Sequence, residues 1–122
     1  MKYDLEERLI NYSVLILDIV DSMPGNKGAK HLASQIVRSG TAPALMYGEA
    51  QSSESRKDFI HKMSLPLKEL RETYNCLKII DRMQYTGNVD DKLNKGLKES
   101  HELISIFVKS IGTAIENSKL KT

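Results

Sequence analysis

The chain has 122 residues, the size of one domain. Eighteen Lys+Arg against sixteen Asp+Glu leave a formal charge of +2, far from the strong basicity of a dedicated nucleic-acid binder. Its one cysteine, Cys76, excludes an internal disulfide and suits a reducing compartment. The opening MKYDLEERL puts acids where a signal peptide would be apolar, and the longest apolar run, Val14 to Leu17, is too short to cross a bilayer. These features predict a soluble cytoplasmic protein with no membrane association.

Apolar residues recur at intervals of three and four, which predicts four helices in a single domain over residues 1–122. The first, about 4–22, has Asp4 as its cap with Glu7 three residues later. Its inner face is Leu5, Leu9, Tyr12, Ile16, Ile19 and Met23. Pro24-Gly25-Asn26 then ends it. The second helix, about 27–51, buries a stripe of mostly small residues: Ala29, Leu32, Ile36, Gly40, Pro43 and Tyr47. Pro43 should kink it.

The third helix, about 55–86, starts at Ser55 with Asp58 in capping-box register and stops at Gly87. Its inner face is read as Phe59, Met63, Leu67, Leu70, Tyr74 and Leu77, with a bend at Pro66. The fourth, about 89–118, is capped by Asn88, with Asp90 and Asp91 favoured by the helix dipole. Leu93, Leu97, Ile104, Phe107, Val108, Ile111 and Ile115 would face inward. Short connections make this all-α chain an antiparallel up-down-up-down four-helix bundle.

Helix 1 has more apolar surface than one core needs. Tyr3, Ile10, Val14 and Leu17 cluster roughly 100–160° from Ile16 at 100° per residue. Either the strip is an association surface, or it belongs to a wide core face wrapped by helix 4. Residues 1–23 carry +2 and −5, while 24–122 carry +16 and −11. That asymmetry suits a head-to-tail contact closing into a ring-like homo-oligomer.

On helix 3, Lys57, Lys68, Arg71, Lys78 and Arg82 fall within about 80°, a ribbon roughly 37 Å long. It could follow a phosphate backbone, with Lys27, Lys30 and Arg38 of helix 2 in support. The competing reading is a solvated flank balanced by Glu54, Glu69 and Glu72. An oligomeric protein-interaction scaffold, in which the charges serve only solubility, is the rival function. The lack of tryptophan favours it, because base-stacking platforms need aromatic rings.

No catalytic pattern emerges. His31, His61 and His101 lack metal-ligand spacing, Cys76 reads as a half-buried, unactivated thiol, and Glu69 and Glu72 read as salt-bridge partners. No cofactor and no small-molecule substrate is implied, and the expectation is a protein that is not an enzyme.

Gln35-Ile-Val-Arg-Ser-Gly-Thr41, Tyr47-Gly-Glu-Ala-Gln51, Ser55-Arg-Lys-Asp-Phe-Ile-His-Lys-Met63 and Lys68-Glu-Leu-Arg-Glu-Thr73 together resemble the bacterial proteins encoded by intervening sequences in 23S rRNA genes. The resemblance is clear over about residues 30–80. It implies an antiparallel four-helix bundle assembled as a homopentamer, a genomic setting tied to rRNA, and no settled activity. Arg38, Glu49, Asp58, Phe59, Glu69 and Glu72 stand at positions characteristic of that family, and Arg38 with Glu49, Glu69 and Glu72 is expected to form a structural polar network. Met46 and Gly48 stand where the family commonly has Asn and Arg, which removes polar groups from helix 2, and Asn75-Cys76 stands in place of a usual Tyr-Trp pair on helix 3.

Overall fold

The computed structural model describes residues 4–87 and 91–119. They form four helices and no strand: α1 (Leu5–Asp21), α2 (Lys27–Gln51), α3 (Arg56–Met83) and α4 (Asp91–Lys119). Local chemistry sets most of the ends. Asp4 accepts from the Glu7 N–H at 3.0 Å, Asn26 from the Ala29 N–H at 2.9 Å, and Ser55 from the Asp58 N–H at 3.0 Å. Each bond satisfies one of the four backbone donors that a helix start leaves open. The expected cap of α4, Asn88, and its neighbour Asp90 lie outside the described residues.

The end of α3 comes earlier than Gly87. Gln84 adopts the left-handed conformation at φ 56°, and the Tyr85 N–H reaches back to the Ile80 carbonyl at 3.2 Å. That turn stops the helix at Met83, a closure usually given to glycine. Pro43 and Pro66 both lie inside uninterrupted helices, and both are buried.

Each helix packs against the next, and α1 also packs against α4. The inner face of α1 is as its spacing predicts: Leu5, Leu9, Tyr12, Ile16 and Ile19 are buried. On α3 the buried line is Met63, Pro66, Leu70, Thr73, Leu77 and Ile80, leaving Phe59, Leu67 and Tyr74 half-buried. On α4 it is Leu93, Gly96, Ser100, Leu103, Phe107 and Ala114. Val108 and Ile115, expected inside, are exposed. The displacement has one physical cause: small residues occupy the points of closest approach, and the larger aliphatics flank them. Gly96 sits against Ile19 and Leu77, and an added Cβ at Gly40 would fall 2.7 Å from Ile16 Cγ2.

A polar layer crosses this core, with one residue from every helix. The Tyr12 hydroxyl is 2.6 Å from Ser100 Oγ, Thr73 donates to Ser39 Oγ at 2.7 Å, and Thr73 also lies within reach of the Tyr12 hydroxyl. Ser100 in turn donates to the Gly96 carbonyl at 2.7 Å. All four residues are at most 1% exposed. Mutual bonding is what makes their burial tolerable. Burial pushes the Tyr12 hydroxyl's pKa well above its ordinary value.

Candidate nucleic-acid interface and subunit face

Two arginine clasps hold opposite seams of the bundle. At the α1–α4 seam, Arg8 donates to both Glu99 oxygens at 2.6 Å and to Glu102 at 2.9 Å. At the α2–α3 seam, Arg38 donates to Glu69 at 3.0 and 3.1 Å, to Glu72, and to Gln35 at 3.2 Å. In each case the two glutamates stand three residues apart on the partner helix, one turn of a shared face. The Arg38–Glu69–Glu72 part of the expected network is therefore assembled. Glu49 is not part of it, because eleven residues of α2 put it about 16 Å further along the axis.

The basic ribbon lies on the other flank of α3. Thr73 and Glu69 turn toward α2 through their bonds to Ser39 and Arg38. Tyr74 turns toward α4, where its ring meets His101 at 6.1 Å. The ribbon begins on that α4 side, with Lys78 Nζ lying 4.5 Å over the Tyr74 ring, and turns outward from there. Lys57, Lys68, Arg71 and Arg82 are exposed and Lys78 is half-buried. Among the described residues none of the five forms a salt bridge. Two of the three glutamates that would balance them, Glu69 and Glu72, are held by Arg38, whose own pKa they raise, and the third, Glu54, lines the cleft at the start of α3. Arg38 thus stands apart from the ribbon, committed to its clasp.

Lys27 and Lys30 are exposed in the first turn of α2, which carries no acid. A helix start disfavours cations, so helix stability does not account for them. They share an end of the bundle with Arg82, since an added Cβ at Gly28 would fall 2.8 Å from the Tyr85 hydroxyl.

On α1 the second apolar strip is uncovered. Ile10, Val14 and Leu17 are 43%, 53% and 41% exposed; Tyr3 lies outside the described residues. Helix α4 does not wrap this strip, because it meets α1 on the side of Arg8 and Tyr12. The strip borders the α2 seam, where Ser13 donates to the Gly40 carbonyl at 3.2 Å and Val37 is also exposed.

Cys76 is buried. Burial, with a smaller contribution from Glu72, raises its thiol's pKa against the opposing effect of Arg38, the reverse of an activated nucleophile. A cleft of about 690 Å³ opens between the start of α3 and the end of α4, spanned by a 3.1 Å bond from Arg56 to the Asn117 carbonyl. Its lining offers one carboxylate, Glu54, and no histidine or cysteine. Among the described residues no three metal-ligating side chains converge, and no helix is long and apolar enough to cross a membrane.

The sequence signals for the ribbon and the strip were periodic and local. The Arg8 clasp joins residues 91 apart and left no such signal.

A family model described as 23S rRNA-intervening sequence protein matches residues 2–109. Among solved structures, a protein of unknown function from the S23 ribosomal protein family of Bacteroides thetaiotaomicron is similar over 88% of this chain and 98% of its own. It is 25% identical, with a TM-score of 0.77. No curated protein matches the chain.

Proposed function

The chain belongs to the family of 23S rRNA-intervening sequence proteins, and from that premise we propose a non-enzymatic cytoplasmic homo-oligomer that binds RNA through the basic flank of α3. The subunit is an antiparallel up-down-up-down bundle. Arg8 with Glu99 and Asp18 with Lys92, Gly28 beside Tyr85 and Arg38 with Glu69, and Arg56 with Asn117 and Tyr74 with His101 support that topology, because at each seam rising numbers on one helix meet falling numbers on the other.

One observation carries the RNA reading. Glu69 and Glu72 are drawn to Arg38, leaving Lys57, Lys68, Arg71, Lys78 and Arg82 without acid partners among the described residues. An uncompensated line of cations is what a phosphate backbone requires. Lys27 and Lys30 add charge at one end. The modest net charge is offset by assembly, since a ring repeats each weak contact at high effective concentration.

The assembly reading rests on Ile10, Val14 and Leu17, an apolar strip that water would otherwise meet. It joins subunits head to tail, five to a ring as the family resemblance implies. That same strip supports the alternative, an oligomeric scaffold that recruits a protein and has no nucleic-acid role.

Charge reversal separates the two. Changing Lys68, Arg71 and Lys78 to Glu should abolish RNA retention in a sedimentation assay while leaving the assembled particle intact. RNA binding that survives the reversal contradicts the reading and favours the scaffold.

A further inference from the structure

We infer that the apolar strip of α1 is met, in a second copy of the chain, by the row Val108, Ile111 and Ile115 of α4, an inference that rests on the assembly reading above. The α4 row is a second uncovered face. Val108 and Ile115 are 45% and 39% exposed, while Ile104 and Ile111 pack against the core. Gly112 beside them is exposed, and an added Cβ there meets nothing within 4 Å. Unlike Gly40 and Gly96, it serves no close contact inside the subunit, although a mid-helix glycine is unfavourable. It leaves α4 open to the approach of another backbone. Of the other exposed aliphatics, Leu45 and Leu65 stand singly, Val37 borders the α1 strip, and Ile79 and Met83 lie next to Lys78 and Arg82 of the ribbon.

The two rows match in spacing. Ile10, Val14 and Leu17 advance by four and then three residues. Ile115, Ile111 and Val108, taken backward along α4, also step by four and then three. Each row spans about 10 Å within an arc of about 60°. An antiparallel alignment therefore sets Ile10 by Ile115, Val14 by Ile111 and Leu17 by Val108. Arg8 meets Glu99 and Asp18 meets Lys92, so α1 and α4 run in opposite senses within a subunit. Copies related by rotation then present the two helices to each other in that same sense, in a head-to-tail contact. The same two pairings put the α4 row about 23 Å beyond the height of the α1 strip. Neighbouring bundles are thus staggered, and a ring closes only if they incline to its axis.

Charge fits this alignment. The sole cation of α1, Arg8, is drawn to α4. Glu6, Glu7 and Asp21 are exposed around the strip and form no salt bridge among the described residues. From Leu103 to Ile115 the one charged residue of α4 is Lys109. It is exposed and likewise without a salt bridge among the described residues. With Ile10 beside Ile115, Asp18 falls near Lys109 and Glu7 near Lys119. An acid-bordered strip meets a row whose nearest charges are lysines, which fixes partner and register together.

The test mixes two full-length variants, Val14→Asp and Val108→Asp, and reads native mass. The two positions are 53% and 45% exposed, so neither change enters the core. Each variant alone should fall to a 13.8 kDa monomer, because each has lost one of the two faces. Mixed in equal amounts they should form a 1:1 pair, a doubling of mass and no more, since each supplies the face that the other lacks. That rescue also demonstrates that both are folded. Ile115→Asp, on the same row, should substitute for Val108→Asp in every step. If Val108→Asp assembles like the parent, or if two helical monomers stay apart on mixing, the α4 assignment is overturned and the α1 face is left standing. A monomeric parent overturns the assembly reading itself.

Discussion

Tyr12 and Ser100, 88 residues apart in sequence, meet through their hydroxyls at 2.6 Å inside a core that excludes water. An apolar pair would pack there without any directional demand. The hydroxyls instead fix how far α4 slides along α1, and Thr73 and Ser39 do the same for α3 and α2. Tyr12→Phe should cost about 1–2 kcal/mol, because a buried partner loses one bond while the ring still fills its space. Chemical denaturation measures it. A variant as stable as the parent would mean that the layer contributes nothing to stability.

Close approach of α1 and α2 depends on the absence of a side chain at Gly40. Ile16 meets that position from its Cβ outward, with three atoms between 2.7 and 3.1 Å of an added Cβ. The contact is at the root of a β-branched residue, which cannot swing aside. Gly40→Ala should therefore destabilise by about 1–3 kcal/mol despite the better helix propensity of alanine. A rise in melting temperature would contradict this packing.

The Arg8 clasp predicts how stability responds to acid. Hydrogen bonding from Arg8 lowers the Glu99 pKa against the opposing effect of burial. A carboxylate depressed in the folded state contributes stability that is complete above its ordinary pKa of about 4.3 and is lost as pH falls through the folded value. Stability measured between neutral pH and about pH 3 should fall more steeply for the parent than for Glu99→Gln. Parallel curves would show that the clasp has no linkage to folding.

Much of this architecture was legible in the sequence, for a physical reason. Helix starts are set by side chains within three residues, so Asp4 and Ser55 announce themselves. The inner face of α1 is made of large apolar groups, so period alone finds it. The faces of α3 and α4 were read in part: Met63, Leu70, Leu77, Leu93 and Phe107 are core and Leu97, Ile104 and Ile111 pack against it, but the contact lines also run through Thr73, Gly96, Ser100 and Ala114, which a search for large aliphatics passes over. The end of α3 was placed at a glycine, whereas Gln84 takes the left-handed turn. The Arg8 clasp joins residues distant in sequence, and only folding brings them together. The basic ribbon and the apolar strip were visible because each is a periodic feature of a single helix.

If Ile10, Val14 and Leu17 join subunits, a charge among them should separate the particle. Val14→Asp places a carboxylate at the most exposed of the three and leaves the core untouched. Native mass measurement should show assembly for the parent and a 13.8 kDa monomer for the variant. A monomeric parent would remove the subunit face.

The salt dependence of RNA binding bears most directly on the α3 flank. Five cations meeting phosphates should give a log–log slope of affinity against salt of about −3 to −4 per subunit on a single strand. Anisotropy titrations of the intact protein over a series of salt concentrations yield that slope. A value in this range, reduced by about one for each ribbon cation changed to Gln, is the predicted result. Affinity that stays flat with salt, or a slope that ignores Lys57, Lys68, Arg71, Lys78 and Arg82, would contradict it.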